Sequence, residues 1–182
     1  LALFRGLNPG AVADAERLMD RYDFSDCATM LDVGGGAGGM AVTLAQANPQ
    51  LEATIIDLPS VTPVTRQLVD GELGSERVKI AAADAVRDRL TGSYDVVVVR
   101  HVIQVLSKGD SCALLKNVAA VLKPGGRVHI IGWILDNSRV TPPTTVGLNL
   151  VLLNGYEDGQ AYTEAEYRDW LDEAGFVNHE RF

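Results

Sequence analysis

The segment Leu31–Gly39, with the sequence LDVGGGAGG, joins a short apolar run to the start of a helix. Small residues there let the backbone approach a bound molecule closely, and a helix starting at Gly38–Met40 presents unpaired N–H groups to a carboxylate or phosphate. Gly34, Gly36 and Gly39 also fit the G-x-G-x-x-G spacing of dinucleotide-binding turns. The chain must therefore fold so that a strand, a glycine turn and a helix meet beside a ligand.

Apolar runs of strand length alternate with amphipathic helical segments through most of the chain. Strands are predicted at Met30–Val33, Ala53–Asp57, Val78–Ala82, Tyr94–Val99 and Arg127–Gly132. Helices are predicted at residues 11–22, Met40–Asn48, Val61–Asp70, Lys108–Leu122, Thr144–Tyr156 and Ala165–Ala174. Strands that are apolar on both faces are typical of a parallel sheet covered by helices on both sides, so we predict a doubly wound, mostly parallel α/β fold.

Several residues mark where these elements begin and end. Asn8-Pro9-Gly10 is expected to break the chain before the first helix. Thr163 with Glu166 has the spacing of a capping box, and Gly125-Gly126 and Gly175 are expected to end helices. His129, inside an apolar strand, is expected to be a core residue with its hydrogen bonds satisfied.

Length and composition favour one globular domain and exclude several classes of partner. The chain has 182 residues, of which 47% are hydrophobic, and we assign residues 1–24 to a linking segment with a helix and residues 25–182 to the ligand-binding domain. A net charge of −8 argues against binding to nucleic acid. No apolar run reaches membrane-spanning length and no signal peptide is evident, so we expect a cytoplasmic protein without membrane contact. Cys27 and Cys112 lack metal-site spacing, and no metal is expected.

Three aspartates indicate which cofactor the glycine turn holds. Asp32 lies two residues before the first glycine, where a second negative charge disfavours a pyrophosphate and favours an ammonium or sulfonium. Asp57 ends the second strand, the position from which a carboxylate binds a ribose hydroxyl pair. Asp84 follows the third strand and offers an acceptor to an adenine amino group. Three acids around one crevice suit a positively charged nucleoside without phosphate.

These features together resemble a known family. The glycine turn, Ile56-Asp57-Leu58-Pro59, Ala83-Asp84 and the segment Leu122–Arg127 are similar to class I S-adenosylmethionine (SAM)-dependent methyltransferases. More narrowly, they resemble the catalytic domain of small-molecule O-methyltransferases such as the caffeate, hydroxyindole and polyketide enzymes. The resemblance implies a Rossmann-like fold that binds SAM and releases S-adenosylhomocysteine (SAH). It assigns cofactor contacts to Asp32, Gly34, Gly35, Gly36, Asp57, Leu58, Asp84, Ala85 and Arg100.

The chain departs from the family at the catalytic positions. Gln104 stands where the family has the His that deprotonates the acceptor, and glutamine cannot act as a base. Gly132 and Ala161 occupy the positions of two orienting Glu residues. His101, three residues before Gln104, is a rival base from a shifted position, although packing at a strand end also explains it. We therefore name Gln104 and His101 as the candidate catalytic residues.

The acceptor side of the site is predicted from the same resemblance. It places Trp133, Asn149, Asn154 and Tyr156 around a small conjugated or aromatic acceptor. Phe4 and Leu7 precede the first predicted helix and are expected to contribute from the entry side. Family members carry an additional N-terminal helical domain that forms a homodimer and closes over the acceptor. We expect this chain to lack that domain and the last strand of the sheet, with dimerisation through the absent segment.

Three functions remain open on the sequence alone. The first is methyl transfer, preferentially to oxygen, that relies on positioning the acceptor rather than on the family's His base. The second is a SAM-binding protein of the same fold without methyl transfer, which the changes at Gln104, Gly132 and Ala161 motivate. The third, an NAD-dependent oxidoreductase, rests on the glycine spacing alone.

Overall fold

The computed structural model describes residues 1–182 and contains one five-stranded, wholly parallel sheet. The order of the strands across the sheet is β3-β2-β1-β4-β5. Their bounds are Thr29–Val33 (β1), Glu52–Asp57 (β2), Val78–Ala82 (β3), Tyr94–Arg100 (β4) and Leu122–Ile131 (β5). The predicted doubly wound α/β fold is confirmed.

Six α-helices connect and cover the strands. Their bounds are Ala2–Arg21 (α1), Gly39–Ala47 (α2), Thr62–Val69 (α3), Lys108–Val121 (α4), Pro143–Gly155 (α5) and Glu164–Glu173 (α6). Buried residues of α1 and α2 form one core against one face of the sheet, and residues of α4 and α6 form a second core against the other face. Short 3₁₀ turns lie at Ser75–Arg77 and Ile103–Val105. None of the helices combines the length and the apolar character needed to cross a membrane.

The strand order reverses direction between β1 and β4. From β1 the chain moves outward through β2 to β3, and then returns to the other side of β1 to form β4 and β5. Ligands of open α/β sheets bind at such a switch point, outside the carboxyl ends of the strands. The turn Gly34–Gly36 follows β1, and His101 follows Arg100, the last residue of β4, so both predicted site segments lie at this crevice.

The first helix is longer than its sequence predicts. The expected break at Asn8-Pro9-Gly10 is wrong, because α1 runs from Ala2 to Arg21 with Pro9 inside it. Proline cannot donate to the carbonyl four residues earlier, which is that of Arg5. Both Arg5 and Pro9 are exposed, so water can bind that carbonyl and the cost of the missing bond is small.

The ends of the later helices confirm two predictions and correct a third. Thr163 and Glu166 form the capping box, with hydrogen bonds of 2.8 and 3.3 Å between side chain and backbone in the two directions. Gly175, with φ of +90°, closes α6 through the N–H of Phe176 bonding to the carbonyl of Leu171. Gly125-Gly126 do not cap α4, which ends at Val121. They lie in a bulge of β5, where Gly125 adopts a φ of +78°.

His129 differs from its predicted environment. It is buried against Tyr22 and Phe24, but its Nε2 atom has no hydrogen-bond partner, so the prediction of a satisfied side chain is wrong. Burial, followed by the nearby charge of Arg127, lowers the pKa of His129 to about 4, which keeps the ring neutral. It lines a groove of about 810 Å³ along the open edge of β5.

The ends of the strands opposite the switch point are held by the carboxylate of Asp95. One oxygen accepts hydrogen bonds from the N–H groups of Ala28 and Thr29 and from the Thr29 hydroxyl, at 2.9 to 3.0 Å. The other pairs with Lys123 Nζ at 2.8 Å. Burial raises the pKa of Asp95, but Lys123, Thr29 and the backbone N–H groups together lower it to about 2. The group therefore connects β1, β4 and β5.

We expect Asp95→Asn to lower the free energy of unfolding by about 1 to 3 kcal/mol at neutral pH, because two backbone donors and Lys123 lose a charged acceptor. Since the folded pKa lies below the ordinary value of 3.8, this stabilisation is present above about pH 4 and is lost as the pH falls toward 2. Chemical denaturation between pH 2 and 7 measures the difference from wild type. The exposed pair of Lys79 with Glu52 provides the control, and Glu52→Gln should change little.

Candidate functional site

The glycine turn is held in place by bonds from two neighbouring elements. The N–H of Gly36 donates to Asp57 Oδ2 at 2.9 Å, and the hydroxyl of Thr65 donates to the Gly36 carbonyl at 2.6 Å. Gly34 and Gly36 have φ values of +66° and +54°, in the left-handed region that favours glycine. A Cβ atom at Gly34 would also lie 2.5 Å from the side chain of Val102. Gly34 is therefore required by both conformation and space, and Gly36 by its conformation.

Asp32, the last polar residue before the turn, is buried beneath it. Only 1% of the residue is exposed, and neither carboxylate oxygen has a hydrogen-bond partner. A Cβ atom at Gly35 would lie 2.7 Å from Asp32 Oδ2, so the turn packs directly on the carboxylate. Burial raises the pKa of Asp32 to about 7, while the charge of Arg100 opposes this rise and that of Asp57 adds to it. An unpartnered buried carboxylate of this kind is costly unless a cation or donor binds it.

The N-terminal helix covers the outer side of the turn. The ring of Phe4 lies 3.4 Å from the position of a Cβ atom at Gly36. The side chain of Asn8 lies directly against Gly39, the first residue of α2, and would collide with any Cβ there. Asn8 Oδ1 is buried and has no hydrogen-bond partner. Asn8 was not predicted as a site residue, because its segment was expected to break the chain rather than to form a helix.

Arg100, at the end of β4, is bound by α1. Its Nε atom lies 2.8 Å from Asp14 Oδ2, and both side chains are 17% exposed. Gly10 makes room for the guanidinium, since a Cβ atom there would lie 3.1 Å from an Arg100 terminal nitrogen. Asp14 also forms an exposed pair with Arg17 at 3.0 Å. The sequence contained no signal for Asp14, because its partner is 86 residues away.

The residues predicted to bind the nucleoside differ in how much of their hydrogen-bonding capacity is already used within the protein. Asp57 accepts the N–H groups of Gly36 and Leu58, and each of its oxygens keeps a lone pair for further donors. Leu58 is 45% exposed and can contact a ligand at the surface. Asp84 binds the N–H groups of its own turn and the side chain of Arg87 at 3.0 Å, which together lower its pKa against the effect of burial. The carbonyl of the adjacent Ala85 accepts from Asn117.

His101 and Gln104 are directly bonded to each other. His101 Nδ1 lies 3.1 Å from Gln104 Oε1, and the N–H of Trp133 donates to the same oxygen at 3.2 Å. Because a backbone N–H can only donate, the amide oxygen faces Trp133, and His101 Nδ1 must then carry the proton. This leaves Nε2 of the neutral ring with a lone pair. Burial lowers the pKa of His101, against the raising effect of Gln104, so the ring is neutral at pH 7.

Gln104, Gly132 and Ala161, the positions at which the resemblance predicts that catalytic groups are missing, lie close together in space. A Cβ atom at Gly132 would lie 3.3 Å from Gln104 Oε1. The Gln104 carbonyl accepts the N–H of Gln160, the neighbour of Ala161, at 3.0 Å. The hydroxyl of Tyr167 also lies near, 3.9 Å from the same Gly132 Cβ position, and burial raises its pKa. The position of the Tyr167 hydroxyl near Gly132 and Gln104 was not predicted, because α6 is far from Gln104 in sequence.

The predicted acceptor-binding residues are dispersed. Trp133 is 38% exposed, and its ring stacks on that of His101 with centroids 6.0 Å apart. Asn149 Oδ1 accepts the N–H of Ala161 at 2.6 Å and so joins α5 to the segment beside Gln104. Asn154 and Tyr156 are exposed at the end of α5, where Asn154 bonds to the Leu150 carbonyl of its own helix. Of the four, Trp133 lies against the His101–Gln104 pair.

We expect Asp32→Asn to stabilise the unliganded protein above neutral pH. The folded pKa of about 7 exceeds the ordinary 3.8, so Asp32 contributes full stability below about pH 4 and loses it as the pH rises to 7. The free energy of unfolding of wild type, relative to the variant, should fall by on the order of 4 kcal/mol across that window. Chemical denaturation at pH 4 to 8 measures it, with exposed Asp70→Asn as the control; equal pH profiles for Asp32→Asn and wild type would contradict the assignment.

Proteins of known activity match the chain over nearly its whole length. It is 29% identical over 174 residues to a 3-hydroxy-5-methyl-1-naphthoate 3-O-methyltransferase of Streptomyces sahachiroi, covering 96% of this chain and 50% of that protein. It is 31% identical to an L-tyrosine C(3)-methyltransferase of Streptomyces lavendulae, covering 92% of this chain and 46% of the relative. The chain thus spans about half the length of these relatives.

Solved structures and a family model agree with these similarities. Human N-acetylserotonin methyltransferase in complex with SAM superposes with a TM-score of 0.86 at 26% identity, over 98% of this chain and 50% of that one. PigF with SAH superposes with a TM-score of 0.89 at 25% identity, over 97% and 52% of the two chains. The model of the O-methyltransferase domain matches residues 2–177. On this match and on the fold, the chain belongs to the O-methyltransferase domain family.

Proposed function

We propose that the protein transfers a methyl group from SAM to an oxygen of a small conjugated or aromatic metabolite, with Gln104 positioning the acceptor instead of a histidine base. The observation that carries the proposal is the buried, unpartnered carboxylate of Asp32 against the glycine turn at the switch point of the sheet. Family membership supports the reaction type.

The residues of the site fit this cofactor better than a dinucleotide. Asp32 and Asn8 Oδ1 supply buried acceptors without donors, which suit an ammonium group. Asp57 retains lone pairs for the two hydroxyls of a ribose. Three acids at one crevice would repel the negative charges of a pyrophosphate. The glycine spacing is therefore a poor argument for an NAD site in this chain. When bound, SAM supplies a methyl group whose carbon is electrophilic because it is attached to a positively charged sulfur.

The chain's own residues then hold the acceptor rather than activate it. Gln104 Oε1 is already bonded to His101 and to the Trp133 N–H, which fixes the orientation of the amide. Its Nε2 group remains to donate a hydrogen bond to an acceptor oxygen. Holding two reacting groups at contact distance supplies much of the acceleration of a displacement reaction. An acidic phenol or enol, which ionises readily, needs no stronger base.

The acceptor class rests on Trp133 and on the relatives. Trp133 is partly exposed beside Gln104 and offers an aromatic surface to a flat molecule. The naphthoate and tyrosine methyltransferases both have aromatic acceptors in their names. The second of these names carbon as the methylated atom, so we include carbon nucleophiles among the acceptors to be tested.

A second function is favoured by one observation. Gln104, Gly132 and Ala161 together lack the carboxylate and imidazole groups that the family uses on its acceptors. A protein that binds SAM as a structural or regulatory ligand needs only the cofactor half of the site. It would bind SAM and SAH as tightly as an enzyme and produce no SAH with any acceptor.

Two measurements on the purified protein separate these functions. Isothermal titration calorimetry with SAM and SAH tests the cofactor site, and we expect affinity in the micromolar range. The absence of binding by either below millimolar concentration would contradict both functions. Production of SAH with a panel of phenolic, enolic and polyketide acceptors then supports the enzyme, and its absence with every acceptor supports the binding protein.

We expect Gln104→Ala to reduce turnover by about tenfold to a hundredfold with the pH dependence retained, because a positioning hydrogen bond is lost and no base is removed. His101→Ala should reduce turnover by less than about tenfold, since it loosens Gln104 without removing it. Rate measurements between pH 5.5 and 9 test both variants. If the pH dependence disappears in His101→Ala alone, then Nε2 of His101 is the base and Gln104 only orients it.

A further inference from the structure

The charged groups at the end of β4 are paired in an unexpected way. Arg100 lies near two acids, Asp32 at the end of β1 and Asp14 on α1, and its charge acts on the pKa of Asp32. Yet its hydrogen bond goes to Asp14 at 2.8 Å, while both Asp32 oxygens stay without a partner. The more deeply buried acid, for which pairing would bring the larger gain, is the one left unpaired.

The arrangement of α1 explains why Arg100 is bonded to Asp14 and not to Asp32. Asp14 presents its carboxylate to Arg100 Nε, and Gly10, one turn earlier on the same helix, leaves space for the guanidinium against the backbone. A larger residue at Gly10 would push the side chain away from α1. The helix therefore holds the guanidinium of Arg100 against α1.

A ligand with a free amino acid end needs both of these charges. Its ammonium requires an unpaired carboxylate, and its carboxylate requires unpaired N–H donors of a guanidinium. An ion pair between Arg100 and Asp32 would neutralise both groups within the protein. We propose that Asp14 is a positioning residue that prevents this pair, and so keeps Asp32 and Arg100 available for the zwitterionic end of SAM.

This inference rests on the proposed function, because it assumes that the site binds SAM and SAH. It adds a residue on the N-terminal helix to the recognition of the ligand. Burial, Arg100 on β4, Asp57 on β2 and the Ala41 N–H on α2 affect the ionisation of Asp32, while Asp14 on α1 pairs with Arg100 and with Arg17. His101 follows Arg100, and burial holds its pKa below the ordinary 6.5.

The experiment compares two ligands that differ only at the amino acid end. SAH carries this end, whereas 5′-methylthioadenosine has the same nucleoside and thioether sulfur without it. For Asp14→Asn we expect the affinity for SAH to fall by about tenfold to a hundredfold, because Arg100 is free to pair with Asp32. The affinity for methylthioadenosine should stay within about twofold. Arg17→Gln, which removes only the exposed partner of Asp14, should change neither affinity.

The pH dependence of SAH affinity provides a readout that a structural role of Asp14 would not change. In wild type the affinity should rise between pH 6 and 8 as Asp32 loses its proton. In Asp14→Asn this rise should disappear, because pairing with Arg100 keeps Asp32 ionised throughout the window. Asp14→Glu should restore both the affinity and the rise. The thermal unfolding of each variant checks that it is folded.

Each outcome decides the question. If Asp14→Asn lowers the affinities for SAH and methylthioadenosine equally, then Asp14 only docks α1. If the SAH affinity is unchanged, then Arg100 does not move. Either result overturns the inference and leaves the proposed function intact. In an Arg100→Met background, a further loss of SAH affinity on Asp14→Asn would also overturn it, because the effect would not act through Arg100. Failure of wild type to bind either ligand overturns the proposed function as well.

Discussion

The buried carboxylate of Asp32 is the constraint around which the ligand-binding side of this protein is arranged. Gly35 has no side chain because one would meet Asp32, and the turn that contains it is fixed from outside by Asp57 and Thr65. The same carboxylate has no donor of its own, so the unliganded fold is less stable with Asp32 ionised. The unliganded protein is thus destabilised at the point where a positively charged ligand would stabilise it, a pattern common at functional sites.

The cofactor half and the acceptor half of the site differ in how they are built. Around the glycine turn, the side-chain oxygens of Asp32 and the Oδ1 atom of Asn8 have no partner, and Asp57 keeps spare lone pairs. Beside β4 and β5, by contrast, Gln104 is bonded on both sides by His101 and Trp133, and no carboxylate is present at Gly132 or Ala161. The first half is suited to receiving a charged ligand. Under the proposed function, the second half holds a neutral or already ionised acceptor in one orientation.

Elements with a strong periodicity were predictable to within one or two residues, as α2, α3, α4 and α6 illustrate. Predictions that depended on a single residue type were less secure. Proline suggested a break in α1, but its missing hydrogen bond faces solvent and costs little. Gly125 was expected to end a helix, but its left-handed backbone lies in a bulge of β5 instead. A residue type fixes a local conformation, whereas its neighbours in space fix the element that contains it.

The sequence by itself determined the α/β fold, the glycine turn and the three acids beside it, because strand alternation, small residues and strand-end aspartates are all local patterns. Only the tertiary structure decided how those acids are used. Asp84 is bonded within its own turn, Asp57 supports Gly36, and Asp32 is left unpaired because α1 binds Arg100 through Asp14. That last contact joins residues 86 positions apart, and pairing at such distances depends on the packing of whole elements, which no local pattern encodes.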